Sequence, residues 1–136
     1  MGILIDSSVL IAHERLAGQV DALVAARPGE EFFISAITAS ELLHGVQRAV
    51  NARIRAKRSA FVESVIANFP LLPIDAAVAR IHAQLWAELA AAGSLIGAHD
   101  LWIAATAVAH DLTLVTLDTR DFKRVDALEL EDWSQE

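Results

Sequence analysis

The 136-residue chain contains no cysteine. Disulfides, zinc–thiolate centres and cysteine nucleophiles are therefore excluded, and the composition suits a reducing, cytoplasmic setting. No apolar run approaches the ~18 residues that a bilayer-spanning helix needs. The N-terminus has no basic stretch, and Asp6 interrupts its apolar residues, so neither a signal peptide nor membrane association is expected. Positive charge is also scarce. Eleven Lys and Arg against eighteen Asp and Glu leave a net charge of −7 and a pI near 5.1. That balance argues against broad electrostatic attachment to nucleic acid. The basic charge that exists is segregated: Arg48, Arg53, Arg55, Lys57 and Arg58 cluster mid-chain, while residues 126–136 carry acids and no base. There is no Gly-rich phosphate loop, no G-x-S-x-G elbow and no internal repeat.

What is present is a core. The chain is 54% hydrophobic and 21% charged, which fits one globular domain over 1–136. Ile3 to Ile5 reads as a buried strand. Ser7 and Ser8 are placed to cap a helix over Val9–Leu16, which Gly18 breaks. Val20, Leu23 and Val24 resume helical spacing. Glu31–Ser35 is a second strand, followed by a helix opening at Thr38. A long helix is expected over Asn51–Asn68, with Ile54, Phe61, Val62, Val65 and Ile66 inward. Leu71–Ile74 forms a brief strand that Pro70 and Pro73 confine to an edge or start.

Asp75 caps a helix from Ala76 to about Ala92, with Val78, Ile81, Leu85, Trp86 and Leu89 as its stripe. His99 to His110 is a helix that is apolar almost all round and so deeply packed. Leu112–Leu117 is an apolar, β-branched strand, and Leu128–Leu130 a short last one. Strands alternating with helices imply an α/β fold: a three-layer α/β/α sandwich around a mainly parallel sheet of four to five strands. In such sheets, sites form beyond the strands' carboxyl ends.

Acidic residues stand at those ends. Asp6 closes the first strand, where it either helps cap the next helix or belongs to a site. Glu41 completes a Thr38-x-x-Glu41 capping box or faces the same rim. Asp100 lies in a first helical turn, where the macrodipole favours an acid by ~0.3–1 kcal/mol. Its helix is apolar, however, and a buried carboxylate needs a partner. Asp118 and Asp121 flank Thr119-Arg120, as in an Asx turn with an Arg pair. Asp75 and Asp111 read as an ordinary cap and turn, His99 and His110 as isolated structural histidines, and Trp86, Trp102 and Trp133 as packing. Taken together, carboxylates gathered on one rim would repel one another without a cation. An all-oxygen set suits Mg²⁺ or Mn²⁺ rather than zinc. The chemistry implied is metal-dependent attack of water on a phosphodiester.

The segments ILIDSSVLI, ITASELLHGV, HDLWIAATAVAHDLTLVT and LDTRDF, in this order along nearly the whole chain, resemble the PIN domain, and within it the VapC-type toxins of bacterial toxin–antitoxin pairs. The resemblance implies a ribonuclease with Asp6, Glu41 and Asp100 as an acidic triad around Mg²⁺ or Mn²⁺. Asp118 matches its fourth acidic position, with Asp121 as fallback. Ser7 falls where the family has a small hydroxyl residue that orients the first carboxylate or a metal-bound water. The resemblance also implies a VapB-like antitoxin that occludes the site, and a homodimer. Arg48, Arg53, Arg55, Lys57 and Arg58 then either track RNA phosphates or form a solvated helix face. Two other readings stand beside this one. Aspartate-nucleophile phosphatases need an acid two residues after Asp6, where this chain has Ser8. A PIN-like module binding RNA or protein without cleavage would have no use for the retained acids.

Overall fold

The computed structural model describes residues 2–15 and 20–134. Leu16 and Gly18 lie outside those residues, as does the side chain of Val20. Among these residues five strands form one sheet: β1 (Gly2–Ile5), β2 (Glu31–Ser35), β3 (Leu71–Leu72), β4 (Thr113–Thr116) and β5 (Glu129–Asp132). Their order is β3-β2-β1-β4-β5, and every pairing is parallel. Six helices among the described residues cover the sheet: α1 (Ser7–Arg15), α2 (Val20–Ala25), α3 (Ala36–Arg48), α4 (Ala52–Asn68), α5 (Ala76–Ala91) and α6 (Ala98–Ala109). The three-layer sandwich expected from the strand–helix alternation is the architecture found.

The pleat of the central strand divides the core in two. Ile3 and Ile5 point toward α1–α4, where Leu10, Leu42, Val62 and Val65 pack. Leu4 points the other way, onto α5 and α6, among Val78, Leu85, Ile103 and Leu114. Both faces are covered, which is why β1 reads as a continuous apolar run rather than an alternating one. α6 is buried at Leu101, Ile103, Ala104, Ala105, Thr106 and Ala107, as its composition foretold.

Several local expectations are corrected. α1 begins at Ser7, so Ser7 and Ser8 sit inside its first turn rather than capping it. α3 is capped by Ser35, whose hydroxyl accepts from the Thr38 amide at 3.0 Å. That places Glu41 in the second turn, out of reach of a capping box. Asn51 caps α4 by accepting from the Arg53 and Ile54 amides, and Ile54 is 51% exposed rather than inward. On α5 the buried stripe is Val78, His82, Leu85 and Leu89. His82 takes the position assigned to Trp86, which is 55% exposed. The His82 ring stacks on Trp102 with centroids 3.5 Å apart, and burial lowers its pKa. α5 stops at Gly93, whose φ of +67° allows the Ser94 amide to reach back to the Leu89 carbonyl at 2.8 Å.

Candidate active site at the strand carboxyl ends

β1 and β4 pair with Ile5 opposite Val115, and the Asp6 amide continues the ladder to the Val115 carbonyl at 3.0 Å. Asp6 therefore emerges beside Thr116 at the rim. It is only 6% exposed, and a buried carboxylate demands donors. They are supplied to a single oxygen, Oδ2: the Ser8 hydroxyl at 2.6 Å, the Thr116 hydroxyl at 2.9 Å and, more distantly, the Ser8 amide at 3.4 Å. The Leu117 amide in turn donates to Ser8 Oγ at 3.1 Å, which fixes that hydroxyl. Among the described residues nothing hydrogen-bonds Asp6 Oδ1.

Asp100 is a different case. It lies in the first turn of α6 after an N-cap, Gly97, that has no side chain to offer. Among the described residues no donor reaches its carboxyl. Its pKa is pushed up to about 6, first by burial and then by the fields of Asp6, Glu41, Asp121 and Asp118. One acid thus feels all four others that the sequence singled out.

Asp118 and Asp121 follow β4. Asp118 accepts from the Arg120 amide at 3.1 Å and from its guanidinium at 3.0 Å (Nε to Oδ1) and 2.7 Å (Nη2 to Oδ2). These hydrogen bonds hold the Asp118 pKa down at about 2. The Asx turn with an Arg pair is therefore present. Arg124 Nη1 stands 4.0 Å from Asp121 and donates to the Leu95 carbonyl at 3.0 Å. Asp6, Asp100, Asp118 and Asp121 line one open cavity of about 420 Å³ with Arg120, Phe122 and Arg124.

Glu41 lies to one side. Ser7 donates to its Oε1 at 3.0 Å, and His99 Nδ1 is 3.3 Å from its Oε2. Ser7 thus steadies the second carboxylate of the expected triad, while Ser8 and Thr116 orient the first. His99, read from sequence as isolated, touches the cluster. Glu41 lines a separate groove of about 140 Å³ with Arg48, Arg58, Leu42 and Phe61. The basic cluster is partly committed: Arg55 donates to the Ala49 carbonyl and Arg58 to that of Gly45, satisfying the C-terminal end of α3. Arg48, Arg53 and Lys57 are exposed.

Among the described residues, no group of three or more His, Asp or Glu side chains is gathered as a ready-made metal cage. Mg²⁺ does not require one, because it retains several waters and takes one or two carboxylates. The donor set is all oxygen, Asp6 Oδ1 is uncommitted, and Asp100 is destabilised as an anion by its neighbours. On those grounds the cavity fits a hard divalent cation. Sequence pattern alone does not single out Ser8, Thr116, Arg120 and Arg124 as site residues. Thr116 carried a signal, as the last strand residue beside the Asp6 position. Thr116→Val, isosteric at a fully buried position, removes a hydroxyl that donates to Asp6 Oδ2 and should lower stability by about 1 kcal/mol. A thermal melt would measure this, and an unchanged Tm would show that Asp6 does not need that hydroxyl.

The model of the PIN domain matches residues 3–128. The chain is 40% identical over 130 residues to Ribonuclease VapC1 of Rickettsia felis, covering 96% of this chain and 95% of that protein. It is 37% identical over 101 residues to the tRNA(fMet)-specific endonuclease VapC of Shigella flexneri, covering 74% of each. In structure it is similar to VapBC-5, a member of the VapBC family of toxin–antitoxin systems from Mycobacterium tuberculosis. The TM-score is 0.75 at 36% identity, with 96% of both chains covered.

Proposed function

The chain belongs to the PIN domain family, and from that membership we propose that it is a metal-dependent endoribonuclease, the toxin of a toxin–antitoxin pair. The observation that carries the reading is the convergence of Asp6, Asp100, Asp118 and Asp121 on one open cavity, with Asp100 half-buried and undonated. Asp6 and Asp100 are the principal holders of Mg²⁺ or Mn²⁺. Asp118 or Asp121 completes the set. Glu41 has both oxygens engaged by Ser7 and His99 and orders water at the edge of the cavity. The bound cation supplies a Lewis acid that polarises phosphoryl oxygen and lowers the pKa of water. The protein's own part is positional: Ser8 and Thr116 fix Asp6 Oδ2 and leave Oδ1 turned to other work.

The relatives' names support RNA as the substrate, and the solved VapBC-5 supports an antitoxin partner. A homodimer and a cytoplasmic setting belong to the same reading. Among the described residues no helix is long and apolar enough to cross a membrane. Arg48, Arg53 and Lys57 remain available to RNA phosphates, while Arg55 and Arg58 are braced on the Ala49 and Gly45 carbonyls. Incubating the purified protein with total RNA and Mn²⁺, then sequencing the new ends, tests the proposal. Discrete cuts that disappear with a chelator are expected. Cuts that persist in chelator would remove the metal requirement, and intact RNA with measurable binding would favour a non-cleaving module.

A further inference from the structure

The acidic cavity contains two guanidinium groups, and they are held differently. Arg124 is anchored to the Leu95 carbonyl. The Arg120 side chain is 87% exposed, and its side-chain hydrogen bonds among the described residues all go to Asp118. Its fork covers both Asp118 oxygens, the atoms a cation would need. An exposed pair of this kind is weak and readily exchanged. The cavity also sets a problem for any RNA. Four aspartates line it, and a phosphodiester approaching them carries negative charge. A cation neutralises part of that field, but the substrate still needs a donor of its own at the rim. A planar guanidinium matches phosphate oxygens in a way an ammonium does not.

We propose that Arg120 is the phosphate-binding residue of this site, exchanging between Asp118 and a nonbridging phosphate oxygen of the RNA and moving to the phosphate when Asp118 turns to the cation. The inference rests on the nuclease reading and assigns a role within it. The exchange conserves charge pairing: Arg120 trades a carboxylate for a phosphate, and Asp118 trades a guanidinium for a divalent ion. Because Arg120 and Asp118 share one short turn after β4, the exchange needs side-chain rotation and no movement of the sheet. Arg124, tied to the 94–97 loop, stays in place beside Asp121 and does not take part.

The test uses the full chain with Arg120→Ala and Arg120→Lys, and two readouts. The first is Mn²⁺ affinity by calorimetry without RNA. The second is kcat and KM for RNA cleavage at saturating Mn²⁺. Arg120→Ala should bind Mn²⁺ roughly threefold to tenfold more tightly, because a competing cation has left Asp118. The same variant should lose roughly tenfold to a hundredfold in kcat/KM, the effect of a lost hydrogen bond to a charged group. Arg120→Lys should recover part of the cleavage, since charge returns without the fork. These opposite signs separate the proposal from loss of structure, which would weaken both. Unchanged kcat/KM in Arg120→Ala, or weaker Mn²⁺ binding, overturns the proposal alone. A wild type that binds Mn²⁺ and leaves RNA intact overturns the nuclease reading, and the phosphate role with it.

Discussion

Asp100→Asn should reduce RNA cleavage by roughly a thousandfold while making the metal-free protein more stable. The two effects have one cause. The Asp100 carboxyl receives no hydrogen bond among the described residues, and burial together with Asp6, Glu41, Asp121 and Asp118 pushes its pKa up to about 6. The folded chain therefore keeps a proton that the unfolded chain gives up near 3.8. Between those values the folded state binds more protons, so stability falls as pH rises, and above about pH 6 the whole cost is present. Asparagine removes the charge and the cost, and a rise in Tm on the order of a few degrees is expected at neutral pH in chelator. It should also flatten the decline in Tm between about pH 4 and 6. Saturating Mn²⁺ should narrow the difference, because the cation relieves the wild type and not the variant. A variant that melts below the wild type in chelator would sink the account of Asp100 as a strained anion.

Asp6→Ala should be equally inactive and move stability the other way. Asp6 is buried, and the Ser8 and Thr116 hydroxyls are aimed at its Oδ2. Removing the acceptor takes a charged partner from two hydroxyls, the buried Thr116 and the part-buried Ser8, at a cost of about 2 kcal/mol. Relief of the charge on Asp100 offsets only part of this. Asp6→Asn retains an amide oxygen for the two hydroxyls, so its Tm should stay near the wild-type value while cleavage is lost. Thermal melts of the two variants beside Asp100→Asn thus sort the acids by how they are held: Asp6 by donors, and Asp100, among the described residues, by none. If Asp6→Ala melts no lower than Asp6→Asn, the hydroxyls do not secure that carboxylate.

The elements most legible in the sequence are those whose burial is two-sided. Glu31–Ser35 was placed to the residue, and the first and fourth strands to within one, because apolar runs between polar turns have few alternatives. The strand-end positions of Asp6 and Asp118 followed from parallel topology alone. What escaped was decided by helical phase. A capping box needs its helix to begin where the pattern suggests. Ser35, one turn earlier, won the cap because its hydroxyl reaches the Thr38 amide, and Glu41 was freed to bridge Ser7 and His99. On α5 the positions 78, 82, 85 and 89 form the inner stripe. Trp86 lies just off it, so hydrophobicity misled where angular spacing would have chosen His82. The bond from Thr116 to Asp6 has another origin: the two are 110 residues apart in sequence, and only the β1–β4 register makes them neighbours.

The two rims of the sheet carry a further consequence. β3 has two residues between Pro70 and Pro73, and β5 reads Glu-Leu-Glu-Asp. A short, proline-flanked strand offers almost no ladder to extend, and an acidic one repels a copy of itself. Growth by strand addition, the route to fibrils and to sheet-joined assemblies, is closed at both ends. Association of this chain with itself is then directed to its helical faces rather than to its sheet edges.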